Sequence, residues 1–153
     1  QRLLLALAVG GSLAAQEAQS AMRLATFSAE ITPPLGHPLF GGKTARTIAD
    51  SLFARGFVLG EESGVMVLVA VDWCEIRNAA FDRWRDALAQ AAGTTRERVL
   101  VSAIHQHEAP VADLDAQRTL ERLKLKGSIC DLKFHETAVQ RTVAALKAAL
   151  KKK

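Results

Sequence analysis

Tyrosine is absent from the 153 residues, and cysteine, methionine and tryptophan occur only twice each. Without tyrosine, no phenol within this chain can act as an acid, a base or a ligand. Two cysteines, Cys74 and Cys130, are too few for a disulfide framework, and they lack the CxxC spacing of a zinc ribbon or redox centre. Aromatics make up 5%, and no basic residues interleave with them. The net charge of +4 owes three of its units to Lys151, Lys152 and Lys153. A nucleic-acid partner is therefore not expected. There is no GxSxG elbow for a serine nucleophile and no glycine-rich loop of the phosphate or dinucleotide type. No apolar run reaches the roughly 20 residues that span a bilayer.

What is present is the composition of a folded domain. Hydrophobic residues at 49% and charged residues at 24% exclude wholesale disorder. The length fits one domain or one piece of a larger one. Arg2 precedes an apolar run over residues 3–13, and Ser12 and Ala14 then stand at small-x-small spacing before Gln16 and Glu17. This is the layout of a secretory signal peptide, so residues 1–20 are expected to be a leader cleaved between Ala14 and Ser20. The alternative is a buried helix that opens the domain. Export would place the protein in a secreted or periplasmic compartment, which favours pairing of Cys74 with Cys130 over two separate thiols.

The mature part, residues 21–153, alternates strand and helix signals. Residues 24–31 form a strand that ends at Thr32-Pro33-Pro34, where proline stops any ladder. An irregular proline- and glycine-rich loop follows, holding His37 and Gly41-Gly42. Residues 53–59 and 65–71 predict an antiparallel pair. The second is Val-Met-Val-Leu-Val-Ala-Val, the pattern of a strand covered on both faces. Residues 76–92 are helical, with Ile76, Ala80, Trp84, Leu88 and Ala91 on one face and Gly93 as the stop. Residues 99–104 predict a strand parallel to 65–71, completing a βαβ unit. Two further helices are expected over 113–126 and 134–150. The fold class is α/β: a mixed sheet with a βαβ unit and flanking helices, a fragment of a larger α/β domain.

In open α/β sheets ligands bind beyond the carboxyl ends of the parallel strands. That rule selects Asp72-Trp73-Cys74-Glu75 and His105-Gln106-His107-Glu108-Ala109-Pro110. His105 and His107 are two apart, so in extended backbone both imidazoles project to one side. There they can share a metal, or one can ligate while the other moves protons. Asp72, expected alongside, can orient one imidazole through its second nitrogen. A pair of hydrogen-bonded rim histidines is the plainer alternative. Glu108 should point away, His37 should be a solvated loop residue, and His135 should be structural or exposed.

Four segments together resemble the neutral/alkaline non-lysosomal ceramidase family. Ala29-Glu30-Ile31-Thr32-Pro33-Pro34-Leu35-Gly36 resembles its opening motif. Ala45-Arg46 and Asp50-Ser51-Leu52-Phe53-Ala54-Arg55 resemble the segment that follows, and residues 67–72 its central strand ending in Asp. Val99-Leu100-Val101-Ser102-Ala103-Ile104-His105-Gln106-His107 resembles its strand and metal loop. The resemblance implies the N-terminal catalytic-domain part of a secreted zinc amidase. It implies zinc on His105, an active-site role for His107, and a small-molecule or lipid amide substrate of the ceramide type, reached through peripheral contact with a membrane. The family's other ligands are a His, a Glu and a Tyr further along a much longer chain. Where the family continues Ser-Gly-Pro after the pair, this chain has Glu108-Ala109-Pro110. A non-catalytic exported α/β scaffold or ligand-binding domain is the alternative from a different class.

Overall fold

The computed structural model describes residues 22–61 and 64–152; the expected leader lies outside them. The chain order is β1 (Arg23–Glu30), β2 (Pro38–Leu39), β3 (Lys43–Thr44), β4 (Phe53–Glu61), β5 (Gly64–Val71), β6 (Glu75–Arg77), α1 (Asn78–Ala92), β7 (Val99–Ala103), β8 (Val111–Asp113), α2 (Leu114–Arg122) and α3 (Leu132–Leu150). The main sheet runs β1-β4-β5-β7. β1, β4 and β5 are antiparallel neighbours, and β7 lies parallel to β5 with Val67 opposite Val99 and Val71 opposite Ala103. The βαβ unit and the antiparallel pair are as the apolar runs predict. Among the described residues no helix is long and apolar enough to cross a membrane.

The helices cover one face of this sheet. Val67, Val69 and Val71 of β5 and Val99 and Val101 of β7 are buried with Trp84 and Leu88 of α1 and Leu146 of α3. Each such side chain contributes about 1.5–3 kcal/mol by leaving water. Trp73 meets Trp84 edge to face at 5.8 Å between ring centroids, and its indole N–H donates to the Ile31 carbonyl. The opposite face is open: Leu24 is 64% exposed, Met66 47% and Leu100 57%. The expectation that β5 is covered on both faces is therefore corrected. Its inward valines alternate with outward Met66 and Ala70, and an unbroken apolar run conceals that period of two.

Short-range chemistry sets the element ends. Asp113 accepts from the Ala116 amide to start α2, and Asp131 accepts from the Phe134 amide to start α3. Gly93 ends α1 in the left-handed conformation, φ +67°. α1 begins at Asn78 rather than Ile76, because β6 is taken up in parallel pairing with β8. α2 stops at Arg122 rather than Lys126, where Lys124 takes φ +53°. Gly41 and Gly42, at φ +72° and +74°, turn β2 back onto β3.

The expected Cys74–Cys130 disulfide is not formed: both are buried free thiols. Each sulfur is held by a different neighbour. Cys130 Sγ donates to the Asp113 carbonyl at 3.6 Å, and Cys74 Sγ lies against His105.

Candidate metal centre

β5 and β7 end side by side, and the segments beyond them are stitched together by backbone hydrogen bonds. The Ile104 amide donates to the Val71 carbonyl at 3.0 Å and the His105 amide to that of Trp73 at 3.2 Å. The Cys74 amide donates to Pro110 at 2.9 Å, and the Phe40 amide to Ala109 at 3.0 Å. The Gln106 side-chain amide donates to the Asp72 carbonyl at 3.2 Å. These bonds hold His105 at φ +64°, a left-handed conformation that costs a residue bearing a Cβ about 1–2 kcal/mol. Such strain persists only where the surroundings enforce it, and it concentrates at functional sites.

The two imidazoles come together, but by a different route from the one alternation predicts. The strand ends at Ala103, and the left-handed turn at His105 breaks the extended geometry. The rings stand 5.1 Å apart between centroids at 83°. Phe40 lies 4.5 Å from the His107 ring and 6.3 Å from that of His105. Both imidazoles are exposed while Cys74 beside them is fully buried. One donor atom from each of Cys74, His105 and His107 lies within 4.8 Å of the others. Two imidazoles and a thiol are the donors that zinc and similar borderline ions take, and they are unsuited to calcium or magnesium. The residues present therefore fit a zinc-type ion.

His105 Nδ1 is 3.1 Å from the Cys74 carbonyl, 3.7 Å from Cys74 Sγ and 3.8 Å from Glu75 Oε1. The acidic neighbour of His105 is thus Glu75, not Asp72. Asp72 Oδ2 accepts from the Phe53 amide at 2.9 Å and from Arg55 at 2.8 Å, which turns that carboxylate toward β4. Glu75 itself is paired with Arg77. Burial first, then the charge of Glu75, pushes the Cys74 thiol above its ordinary range, with Arg77 opposing.

The remaining candidates fall elsewhere. Glu108 points away from the pair to Lys43, at 2.5 Å. His37 is buried rather than solvated, because Phe134 of α3 packs edge-on against it at 5.1 Å and Pro38 supplies a carbonyl at 2.7 Å. His135 is structural, 3% exposed between Trp73 and Trp84. Sequence reasoning selected the segment holding Cys74 and Glu75 but assigned neither to the site. A cysteine two residues past a strand-end Asp, level with an HxH, is the signal that pointed there.

Two hollows flank the centre. One, of about 380 Å³, opens over Cys74, Glu75 and His105. The other, of about 590 Å³, runs from Thr32 and Pro33 past Arg46 and Leu52 to Gln106 and Glu108.

No protein-family model matches the chain, and no curated protein does. Among solved structures the fold is similar to neutral ceramidase from Pseudomonas aeruginosa, at a TM-score of 0.65 and 20% identity over 86% of this chain. It is also similar to a ceramidase complexed with C2, at 0.61 and 22% identity over 86%. The chain spans 22% and 21% of the lengths of those two proteins. A ceramidase-like α/β fold, corresponding to part of a larger chain, is therefore established.

Proposed function

We propose that this chain is the N-terminal part of an exported zinc-dependent hydrolase of amide bonds, acting on an N-acyl lipid or a related amide. The observation that carries the reading is the His105/His107 pair. It stands at the carboxyl end of a parallel strand, within a fold similar to that of ceramidases. His105 would hold the zinc, which supplies a Lewis acid for the amide carbonyl and for an attacking water. His107, exposed beside it, takes a proton from the water and returns one to the departing amine nitrogen. Phe40 packs against the His107 ring, with centroids 4.5 Å apart. Asp72 acts in this reading as a positioning residue: its carbonyl holds Gln106, between the two histidines, and its carboxylate ties that corner to β4. The 590 Å³ hollow reaches Gln106 and Glu108 on either side of His107 in the chain, and an amide substrate would extend from the pair into it.

Secretion or periplasmic export, by the leader at residues 1–20, and peripheral contact with a membrane belong to the same proposal. The alternative is a non-catalytic exported scaffold. It is favoured by one observation: the centre is open on its outer side, with the His105 side chain 57% exposed. Release of fatty acid from an N-acyl sphingoid base by the protein that carries this chain tests the reading. Hydrolysis that stops with a chelator and in His105→Ala supports it. Hydrolysis unchanged in His105→Ala, or absent from the wild type supplied with zinc, overturns it.

A further inference from the structure

Three carboxylates stand in the two rim segments, and two of them are engaged elsewhere: Asp72 by Arg55 and Glu108 by Lys43. The third is Glu75, whose Oε1 lies 3.8 Å from His105 Nδ1 while Arg77 pairs with its Oε2. We propose that Glu75 is a positioning residue for His105. It sets a fixed negative charge behind the Nδ1 edge of the ring, which leaves Nε2 as the nitrogen that holds the ion. The proposal rests on the zinc reading of His105 and adds no ligand to it.

The backbone builds the placement in. Glu75 opens β6, which pairs in parallel with β8 and sets Glu75 opposite Val111, so its backbone is fixed independently of the histidines. Glu75 and Arg77 are two apart in that strand, which brings both side chains to one side and lets the guanidinium hold the carboxylate. The Glu75 side chain is 23% exposed, and a partly buried charge is screened less by salt than an exposed one. His105 Nδ1 stands 3.1 Å from the Cys74 carbonyl, which can only accept, so the ring proton sits on Nδ1 and donates there. At 3.8 Å the carboxylate is beyond hydrogen-bond reach and acts through its charge. Partners of this kind on the far nitrogen of a metal-binding histidine fix its tautomer and raise its strength as a ligand. When Nε2 gives electron density to an ion, positive charge gathers on the Nδ1–H edge, and Glu75 faces that edge. His107 keeps its proton-carrying role, and ligands from farther along a longer chain have the outer side of the ring to themselves.

Two measurements on the protein that carries this chain test this. Zinc affinity, read by competition with a chromophoric chelator, should fall in Glu75→Gln by roughly 10–100-fold, the range that loss of an outer-shell partner costs. Glu75→Asp, which keeps the charge, should recover part of that loss, and the thermal midpoint of the metal-free Glu75→Gln protein should match wild type. NMR of the cadmium-loaded wild type needs no variant. Scalar coupling from cadmium to both Hε1 and Hδ2 of the His105 ring is expected, the pattern of an Nε2 ligand. Zinc affinity unchanged in Glu75→Gln, a fall that tracks an equal loss of metal-free stability, or coupling to Hε1 without Hδ2 overturns the Glu75 assignment and leaves the His105 reading standing. A wild type that binds neither ion, or zinc retained in His105→Ala, overturns both.

Discussion

His105 Nδ1 and Cys74 Sγ face each other at 3.7 Å across the gap between the ends of β7 and β5. An exposed imidazole is thereby anchored to a fully buried sulfur. The anchoring is enforced by backbone bonds from Ile104 and His105 to the β5 side, so the contact is a consequence of parallel pairing and not of local sequence.

His105→Gly separates metal binding from folding. Glycine takes φ +64° without the strain of about 1–2 kcal/mol, while the variant loses one hydrogen bond worth about 1 kcal/mol. Stability in urea should stay within about 1 kcal/mol of wild type as metal binding disappears. A much larger loss of stability would make His105 a packing residue first.

Asp72→Ala removes the acceptor for the Phe53 amide and for Arg55 and should destabilise by about 1–3 kcal/mol. If Asp72 only positions the corner, Asp72→Asn, which keeps a carbonyl oxygen as acceptor, retains most of the hydrolysis. A collapse of kcat in Asp72→Asn at unchanged stability would give the carboxylate a direct part in the chemistry.

Trp84→Ala empties the centre of the helix–sheet interface, where the indole is fully buried against Trp73 and His135. A cost of about 3–5 kcal/mol is expected, a large share of the stability of a domain this size. Thermal unfolding followed by circular dichroism reads it. A change under 1 kcal/mol would contradict the packing described.

His135 makes stability depend on pH. Burial drives its pKa from the ordinary 6.5 to about 4, with Arg83 and Arg118 adding to the shift and Glu136 opposing it. The unfolded chain therefore binds the proton more readily. Its contribution, about 3 kcal/mol, is fully present above pH 6.5 and is lost as pH falls toward 4. His37, also depressed by burial, acts in the same direction. Urea midpoints between pH 7 and pH 4 should fall less steeply in His135→Leu than in wild type. An equal slope would remove His135 from the account.

The sequence was most readable where long apolar runs meet clear stops. β5, α1 and β7, and the parallel pairing they imply, follow from an unbroken Val-rich run, a helical face ending at Gly93 and a second short run. Less was legible where tertiary pairing decides. β6 and β8 have three residues each and acquire strand form only from one another. The neighbours of His105 were misread for the same reason. Asp72 sits at the strand end as expected, but β4 takes its carboxylate, while Cys74 and Glu75 are delivered by a turn that no period describes. His37 looked like a loop residue because the packing of Phe134 against it joins segments far apart in the chain.

The zinc content of the purified protein that carries this chain, wild type beside His105→Ala, tests the central claim most directly. One zinc per chain in the wild type, and none in the folded variant, is the predicted result. A wild type that takes up no zinc at micromolar concentration, or a variant that keeps it, would contradict the account.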